Sequence, residues 1–423
     1  MQFFLIFCVI TIDYKKHFMN KKILYFSDCP FFAGCENIIK NLISSDQIKK
    51  NYEIYFSFRK SKRYTSDINR INFKNKYNQI PIKLLSFDNI YFKLVDNKSL
   101  YCKIQKIGLK IIQFCLFFSM INFIKLFIMV YKIKPHVIHI NNGGYPGAKT
   151  CNIVALIAKV LNIKVIYTIN NIAIKRNKLF FPIDYFGDLI LSQSVKSFVT
   201  SSNYAANILR KRRILKNNVH SINNVIKNKN TFNKKVDLSF YKKNDKTKII
   251  ITAGLLVERK GFMNLFESIV TVKKKYDNFV LLVCGDGSDY KKLQNFIYSE
   301  NIENEVKLLG HKNNLIEYMN ASDFFILPSI KNEDSPYVIV EALMLAKPII
   351  STKVAGIPEM IANNENGYLV KPNSVADLNE SILKMLNLNN KEMKKFSDKS
   401  RDIYINKFSY DKSINKYLDL YNK

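Results

Sequence analysis

Short apolar runs alternate with stretches of helical periodicity along most of the 423-residue chain. The alternation predicts parallel α/β sheets, because parallel strands are buried on both faces and need a helix to return the chain. In the N-terminal half the strand candidates are KILYFS (22–27), YEIYFSF (52–58), HVIHI (136–140), KVIYTI (164–169) and SFVTSS (197–202). The first leads into a turn at Ala33-Gly34. The third is followed by the loop NNGGYPG and a helix through AKTCNIVALIAKVL. Residues 60–100 show no clear period and stay unassigned. A second series follows: KIIITAG (248–254), FVLLVCG (279–285), VKLLG (306–310), FFILPS (324–329) and KPIIST (347–352). Between the two series, residues 223–246 are polar, basic and weakly periodic, which is a linker signature. The stretch 401–423 has apolar residues at helical spacing and predicts one terminal helix. The chain is too long for one ordinary core. Two domains are therefore expected, 19–225 and 247–400, with 401–423 as a helix able to pack back on the first.

One segment stands apart, KIGLKIIQFCLFFSMINFIKLFIMVYKIK (106–134). It approaches the ~20 apolar residues that a spanning helix needs. It also contains Gln113, Asn122 and Lys125 and runs straight into the strand at 136–140, so spanning would tear the first domain apart. One or two helices on the sheet are expected, with a basic and aromatic outer face touching lipid. A buried helix without lipid contact is the other reading. The first 18 residues are apolar early and basic late, the reverse of a secretory signal. Met19 is the expected start, and a short membrane-touching extension is the alternative.

Charge sharpens the partner question. Lys and Arg number 66 against 34 Asp and Glu, a net charge of +32. That balance fits nucleic acid, an anionic membrane or a phosphate-bearing small ligand. Compositional bias toward Lys, Asn, Ile, Phe and Tyr accounts for part of it. The lysines are scattered and form no recognisable nucleic-acid module, so no nucleic-acid partner is expected. The cysteines, at 8, 29, 35, 102, 115, 151 and 284, include no CxxC pair and are odd in number. Their spacing suits neither zinc nor a disulfide framework, and no HExxH occurs. A reduced cytosolic compartment, with no metal site and no cofactor, is the expectation.

The densest chemistry lies in EDSPYVIVEA (333–342), where Glu333 and Glu341 flank an apolar stretch. Pro336 suits the first helical position and Ser335 an N-cap. Glu333 then precedes the helix and Glu341 lies nearly two turns inside it. The N–H groups of Tyr337 and Val338 point out of the helix end, which attracts phosphate. Carboxylates that accept from sugar hydroxyls, beside amides that hold a diphosphate, fit a nucleotide sugar. A solvated surface glutamate is the bland alternative at either place.

Here the stretch resembles a known family. E-x7-E followed by Ala-Leu, a Pro-led strand and G-x-P-E is similar to the C-terminal domain of family 4 glycosyltransferases; it reads EDSPYVIVEALMLAKPIISTKVAGIPEMIANNENGYLVKP in this chain. AGLLVERKGFMNLFESI resembles the family's phosphate loop. LLVCGDGSDYKKL, VKLLGHKNNLIEYMNASDFFILPS and KFSYDKSINKYLDLY also fit, as do AGCENII and HSINNVI in the first half. The resemblance implies an α/β GT-B fold, two Rossmann-like domains facing across a cleft. It implies transfer of a hexosyl-type sugar from a nucleotide-sugar donor with retention of configuration and no bound metal. Carried over residue by residue, Arg259 and Lys260 hold the leaving diphosphate, and Gly261 lets the backbone approach. Glu341 holds the ribose hydroxyls. Glu333 serves as the catalytic carboxylate, orienting the donor sugar and stabilising an oxocarbenium-like transition state. Gly34 lets the first loop lie against the diphosphate, and Glu36 faces the acceptor unless it is merely a helix-start glutamate.

Three departures weaken the match. Leu255 stands where the family often has Arg, Asn170 where it often has His, and Ala33 where it has the first loop glycine. Asn170 can hydrogen-bond a sugar hydroxyl but cannot shuttle a proton. GDGSDY (285–290) invites a dinucleotide-binding alternative, although Tyr290 replaces the third glycine. A catalytically impaired nucleotide-sugar-binding protein is a further alternative. The expected function is a cytoplasmic glycosyltransferase, peripherally bound to an anionic membrane surface. It would extend a glycan or lipid-linked acceptor in lipopolysaccharide, capsule or exopolysaccharide synthesis.

Overall fold

The computed structural model describes residues 21–423 apart from 30, 31, 33, 71–76, 86–116, 177–180, 214–217, 225 and 228–234. The expectations for residues 1–18, Met19, Ala33 and the first part of the 106–134 segment lie outside the described residues. The chain divides into two compact units. One comprises Met1–Val199, Leu209–His220 and Tyr417–Lys423, the other Thr200–Ile208 and Ser221–Lys416.

The first unit holds a seven-stranded sheet. Its strands are β1 (Lys22–Ser27), β2 (Glu53–Arg59), β3 (Asn78–Ile82), β4 (Val137–Asn142), β5 (Lys164–Ile169), β6 (Ser197–Thr200) and β7 (Val219–Ser221), in the order β3-β2-β1-β4-β5-β6-β7. β1 pairs in parallel with β2 on one side and β4 on the other. β1, β4 and β5 are buried along nearly their whole length, as expected of strands inside a parallel sheet. The helix Phe117–Ile133 packs beside the helix Lys149–Val160, which packs beside the helix Phe181–Ser194. No helix among the described residues is long and apolar enough to cross a membrane.

The second unit repeats the pattern with β8 (Lys248–Ala253), β9 (Phe279–Cys284), β10 (Val306–Gly310), β11 (Phe324–Leu327), β12 (Ile349–Thr352) and β13 (Gly367–Val370). Their order is β10-β9-β8-β11-β12-β13. Counted from β8 this is 3-2-1-4-5-6, the Rossmann order, and the first unit has the same order with one more strand. In such sheets ligands bind where the order reverses, beyond the carboxyl ends of the strands. The reversal lies between β8 and β11 in the second unit, which pair directly, and between β1 and β4 in the first.

Three local expectations need correction. The stretch 401–423 is not one helix. It contains the end of the helix Asn390–Lys407 and a second helix, Tyr410–Asn422, with a break at Phe408-Ser409. The described part of 223–246 is not a bare linker. Asn224 and Leu238 are buried; Asn224 accepts from Ser201 Oγ (3.3 Å) and donates to the Ser335 carbonyl (2.7 Å). Finally, Pro336 is the N-cap of the helix Tyr337–Met344 and not its first residue. Its ψ of 128° is extended, its carbonyl accepts from Ile339 N–H (3.0 Å), and Ser335 makes no cap bond.

Candidate functional site

The loop leaving β8 folds into a single 3₁₀ turn, Glu258–Lys260, closed by Gly261 at φ +71°. That left-handed conformation is one that side chains resist. A Cβ at Gly261 would also stand 2.1 Å from the Pro328 carbonyl oxygen, on the loop leaving β11. Ile330 N–H donates to the Arg259 carbonyl (2.8 Å), so the two loops are sewn together backbone to backbone. Gly261→Ala is therefore expected to destabilise the protein by about 3 kcal/mol, strain and displacement combined. Chemical denaturation would measure this, and a loss under 1 kcal/mol would mean the loops can part freely.

This stitching brings three of the predicted residues, Arg259, Lys260 and Glu333, together. Glu333 accepts an ion pair from Lys260 and a second from Arg259 at 3.1 Å. Lys260 is buried and Glu333 nearly so, while Arg259 is more open. Charge-assisted bonds of this kind are stronger than neutral ones when shielded from water. Tyr337 and Val338 occupy the first two positions of the next helix, where N–H groups have no intrahelical acceptor. Glu341 lies half-buried on that helix. Buried side-chain oxygens without a hydrogen-bond partner occur in this part of the unit: Thr252 Oγ1 on β8, then Ser329 Oγ, Asp334 Oδ2 and Ser335 Oγ after β11. Unpaired buried polar atoms are costly unless a ligand or water meets them. The donor set thus comprises two cations, two carboxylates, helix amides and hydroxyls, which suits a ligand with both phosphates and hydroxyls. Leu255 is an exposed side chain here.

Asp334 escaped the sequence reading. It is buried, accepts from Ser202 Oγ, and burial pushes its carboxyl up to about 6. It fixes the residue after Glu333. Two further bonds anchor the same region, because Glu359 of G-x-P-E accepts from the N–H groups of Asn203 (3.0 Å) and Tyr204 (2.7 Å). These contacts explain why Thr200–Ile208 belongs to the second unit. A charged residue between Glu333 and the Pro-led helix was the available signal.

The glycines of GDGSDY have a different use from the dinucleotide reading. A Cβ at Gly285 would lie 1.9 Å from the Gly254 carbonyl oxygen, and one at Gly287 would lie 2.2 Å from that of Leu256. Both glycines are occupied by loop-on-loop packing, reinforced by Leu256 N–H to Asp286 O (2.9 Å).

In the first unit, the sequence-predicted residues lie near the ends of β1 and β5. Gly34 is exposed, with open space around its Cα. Asn170 donates to Asn141 Oδ1 (2.7 Å) and the Asn142 carbonyl (3.0 Å), and its own Oδ1 is buried without a partner. Glu36 corrects the acceptor-contact expectation. It is 0% exposed, accepts from Ser27 Oγ (2.6 Å) and Tyr64 OH (2.9 Å), and burial pushes its carboxyl up. No surface of it is left to offer an acceptor. Sequence reading missed Asp28, which receives the Arg59 guanidinium (Nη2 2.9 Å) and Thr150 Oγ1. An acidic residue directly after a buried parallel strand was the clue.

The chain is similar in sequence and in fold to several known proteins. An uncharacterized glycosyltransferase of Methanocaldococcus jannaschii is 32% identical over 163 residues, 38% of this chain and 44% of that one. The chain thus spans less than half the length of that relative. The capsular polysaccharide biosynthesis glycosyltransferase CapM of Staphylococcus aureus is 25% identical over 351 residues, 80% of this chain and 88% of that one. Among solved structures, Anabaena HepE in complex with UDP superposes with a TM-score of 0.68 at 14% identity, covering 94% of this chain and 98% of that one. With the two sheets above, the chain has the GT-B fold, two Rossmann-like α/β units. Residues 233–403, within the second unit, match the model of the family described as Glycosyl transferases group 1.

Proposed function

We propose that the protein is a family 4 glycosyltransferase, transferring a hexosyl-type sugar with retention of configuration from a nucleotide-sugar donor to a glycan or lipid-linked acceptor. The observation that carries this reading is the meeting of Arg259, Lys260 and Glu333 where the strand order of the second unit reverses. Arg259 and Lys260 hold the diphosphate together with the amides of Tyr337 and Val338. Glu341 accepts from the ribose hydroxyls. On donor binding Lys260 turns from Glu333 to the phosphates, and Glu333 turns to the sugar. These interactions strengthen as the leaving diphosphate gains charge, which is the requirement for catalysis. Two protein cations serve in the role a divalent ion often fills, so added magnesium or manganese leaves the rate unchanged.

The acceptor belongs to cell-surface polysaccharide assembly, of lipopolysaccharide, capsule or exopolysaccharide type. The capsule role of CapM and the UDP bound to HepE support this class and a UDP-sugar donor. A thermal-shift screen of UDP-, GDP-, ADP- and CMP-sugars, beside NAD and oligonucleotides, tests the reading. A shift with one nucleotide-sugar class is expected; a shift with NAD or an oligonucleotide alone would reject it.

The enzyme works at the cytoplasmic face of an anionic membrane. Met120, Ile124, Ile128 and Tyr131 recur along one exposed face of the helix Phe117–Ile133, Met120 at 63% and Ile124 at 56%. Phe186 and Ile190 add to the exposed apolar surface on the helix Phe181–Ser194, and exposed Lys132 and Lys134 lie beside Tyr131. Apolar side chains flanked by lysines suit an interface of acyl chains and anionic headgroups. The protein is expected to sediment with anionic vesicles at low salt and to be released at high salt. Binding indifferent to salt would remove the electrostatic part, and retention by Ile124→Asp would remove the apolar part.

A further inference from the structure

We propose that Cys29, Cys35 and Glu36 form a zinc site between the end of β1 and the first turn of the helix Glu36–Ile43. Their ligand atoms all lie within 4.8 Å of one another. The two sulfurs are 3.7 Å apart. Two thiolates at about 2.3 Å from a tetrahedral zinc stand about 3.8 Å from each other, so the sulfurs need almost no movement to share one ion. Two sulfurs and one carboxylate select zinc over magnesium or calcium.

The surroundings hold the three groups in place. Cys35 is the N-cap of the helix Glu36–Ile43, and its carbonyl accepts from Asn141 Nδ2 (3.2 Å). Ser27 and Tyr64 donate to different oxygens of Glu36. Each oxygen therefore keeps acceptor capacity for a metal. Hydroxyl donors behind a ligating carboxylate are the usual outer support of metal sites. Glu36 is fully buried, while the two cysteines are only partly so; a water would complete the tetrahedron of a bound ion. The Arg59 guanidinium is engaged by Asp28. Binding releases the two thiol protons to solvent, and with Glu36 as carboxylate the loaded site has a net charge of −1. The ion would tie Cys29, two residues beyond β1, to Cys35 and Glu36 at the start of the next helix.

Cobalt(II) titration of the reduced full-length protein tests this. Binding of about one equivalent is expected, with a thiolate-to-cobalt charge-transfer band that zinc displaces. Cys29→Ser and Cys35→Ser should each lower the band by about half, and Tyr64→Phe should weaken affinity by about tenfold while keeping the band. No charge-transfer band in the wild type would overturn the site. So would an undiminished band in the double serine variant, or a Cys29–Cys35 disulfide that forms readily in protein that binds no cobalt. Each readout is independent of transferase activity.

Discussion

Lys260→Ala is expected to lower kcat/KM for sugar transfer by about 10- to 100-fold in a protein that still folds, though less stably. A charge-assisted bond to phosphate contributes about 1.5–3 kcal/mol, and each 1.36 kcal/mol is a factor of ten. In the unliganded protein Lys260 is paired with Glu333, and Arg259 pairs with the same carboxylate. Alanine at 260 leaves the nearly buried Glu333 one cation, Arg259, which limits the cost of the lost pair. The complementary change, Glu333→Gln, keeps shape and both cations but removes the charge that faces the sugar; transfer should fall by at least tenfold. A steady-state assay of nucleotide release, run beside thermal unfolding, separates a lost site from a lost fold. Full turnover in both variants would dissolve the assignment of this triad to donor binding.

Acidification should destabilise the first unit through His139, by up to about 5 kcal/mol. His139 lies on β4, fully buried, with Nδ1 2.6 Å from Tyr421 OH and Nε2 2.8 Å from Thr168 Oγ1. The rings of Tyr25, Tyr417 and Tyr421 surround it at 5.4–5.8 Å. Burial pulls its pKa from 6.5 to about 3. The folded value is thus below the unfolded one. As pH falls below 6.5 the unfolded chain takes up a proton that the folded chain refuses. Stability is complete above that pH, declines down to about 3, and then levels off. The gap of about 3.5 pH units corresponds to ~5 kcal/mol at 1.36 kcal/mol per unit. Glu36 and Asp334, whose carboxyls burial pushes up, act in the opposite direction. The comparison must therefore be between wild type and His139→Gln. Denaturant unfolding at pH 7 and pH 4 should show the wild type losing about 3 kcal/mol more than the variant. Equal losses would show that His139 is not what the acid attacks.

The mostly apolar runs of β1, β5, β8 and β9 were legible in the sequence, because a strand buried on both faces is filled mainly by apolar side chains. The strands that escaped, β3 (NQIPI), β7 and β13, all lie at sheet edges. Edge strands are short and half-polar, and Pro81 on β3 is tolerated because an edge needs no full ladder. The acid pair Glu333 and Glu341 was likewise readable from residue type and spacing, and the cations Arg259 and Lys260 from the resemblance of their loop to the family's phosphate loop. Only the tertiary structure decided that the two groups meet. Their contact spans 74 positions and depends on β8 and β11 being neighbours, with Gly261 allowing their loops to touch. Local sequence determines which faces must be buried and which loops carry charge. It does not determine that Glu36 is sealed in by Tyr64, or that Asp334 is held by Ser202, because those facts belong to pairings between distant segments. Periodicity is written in nearest neighbours, whereas burial and charge balance are set by whichever segments the two sheets bring side by side.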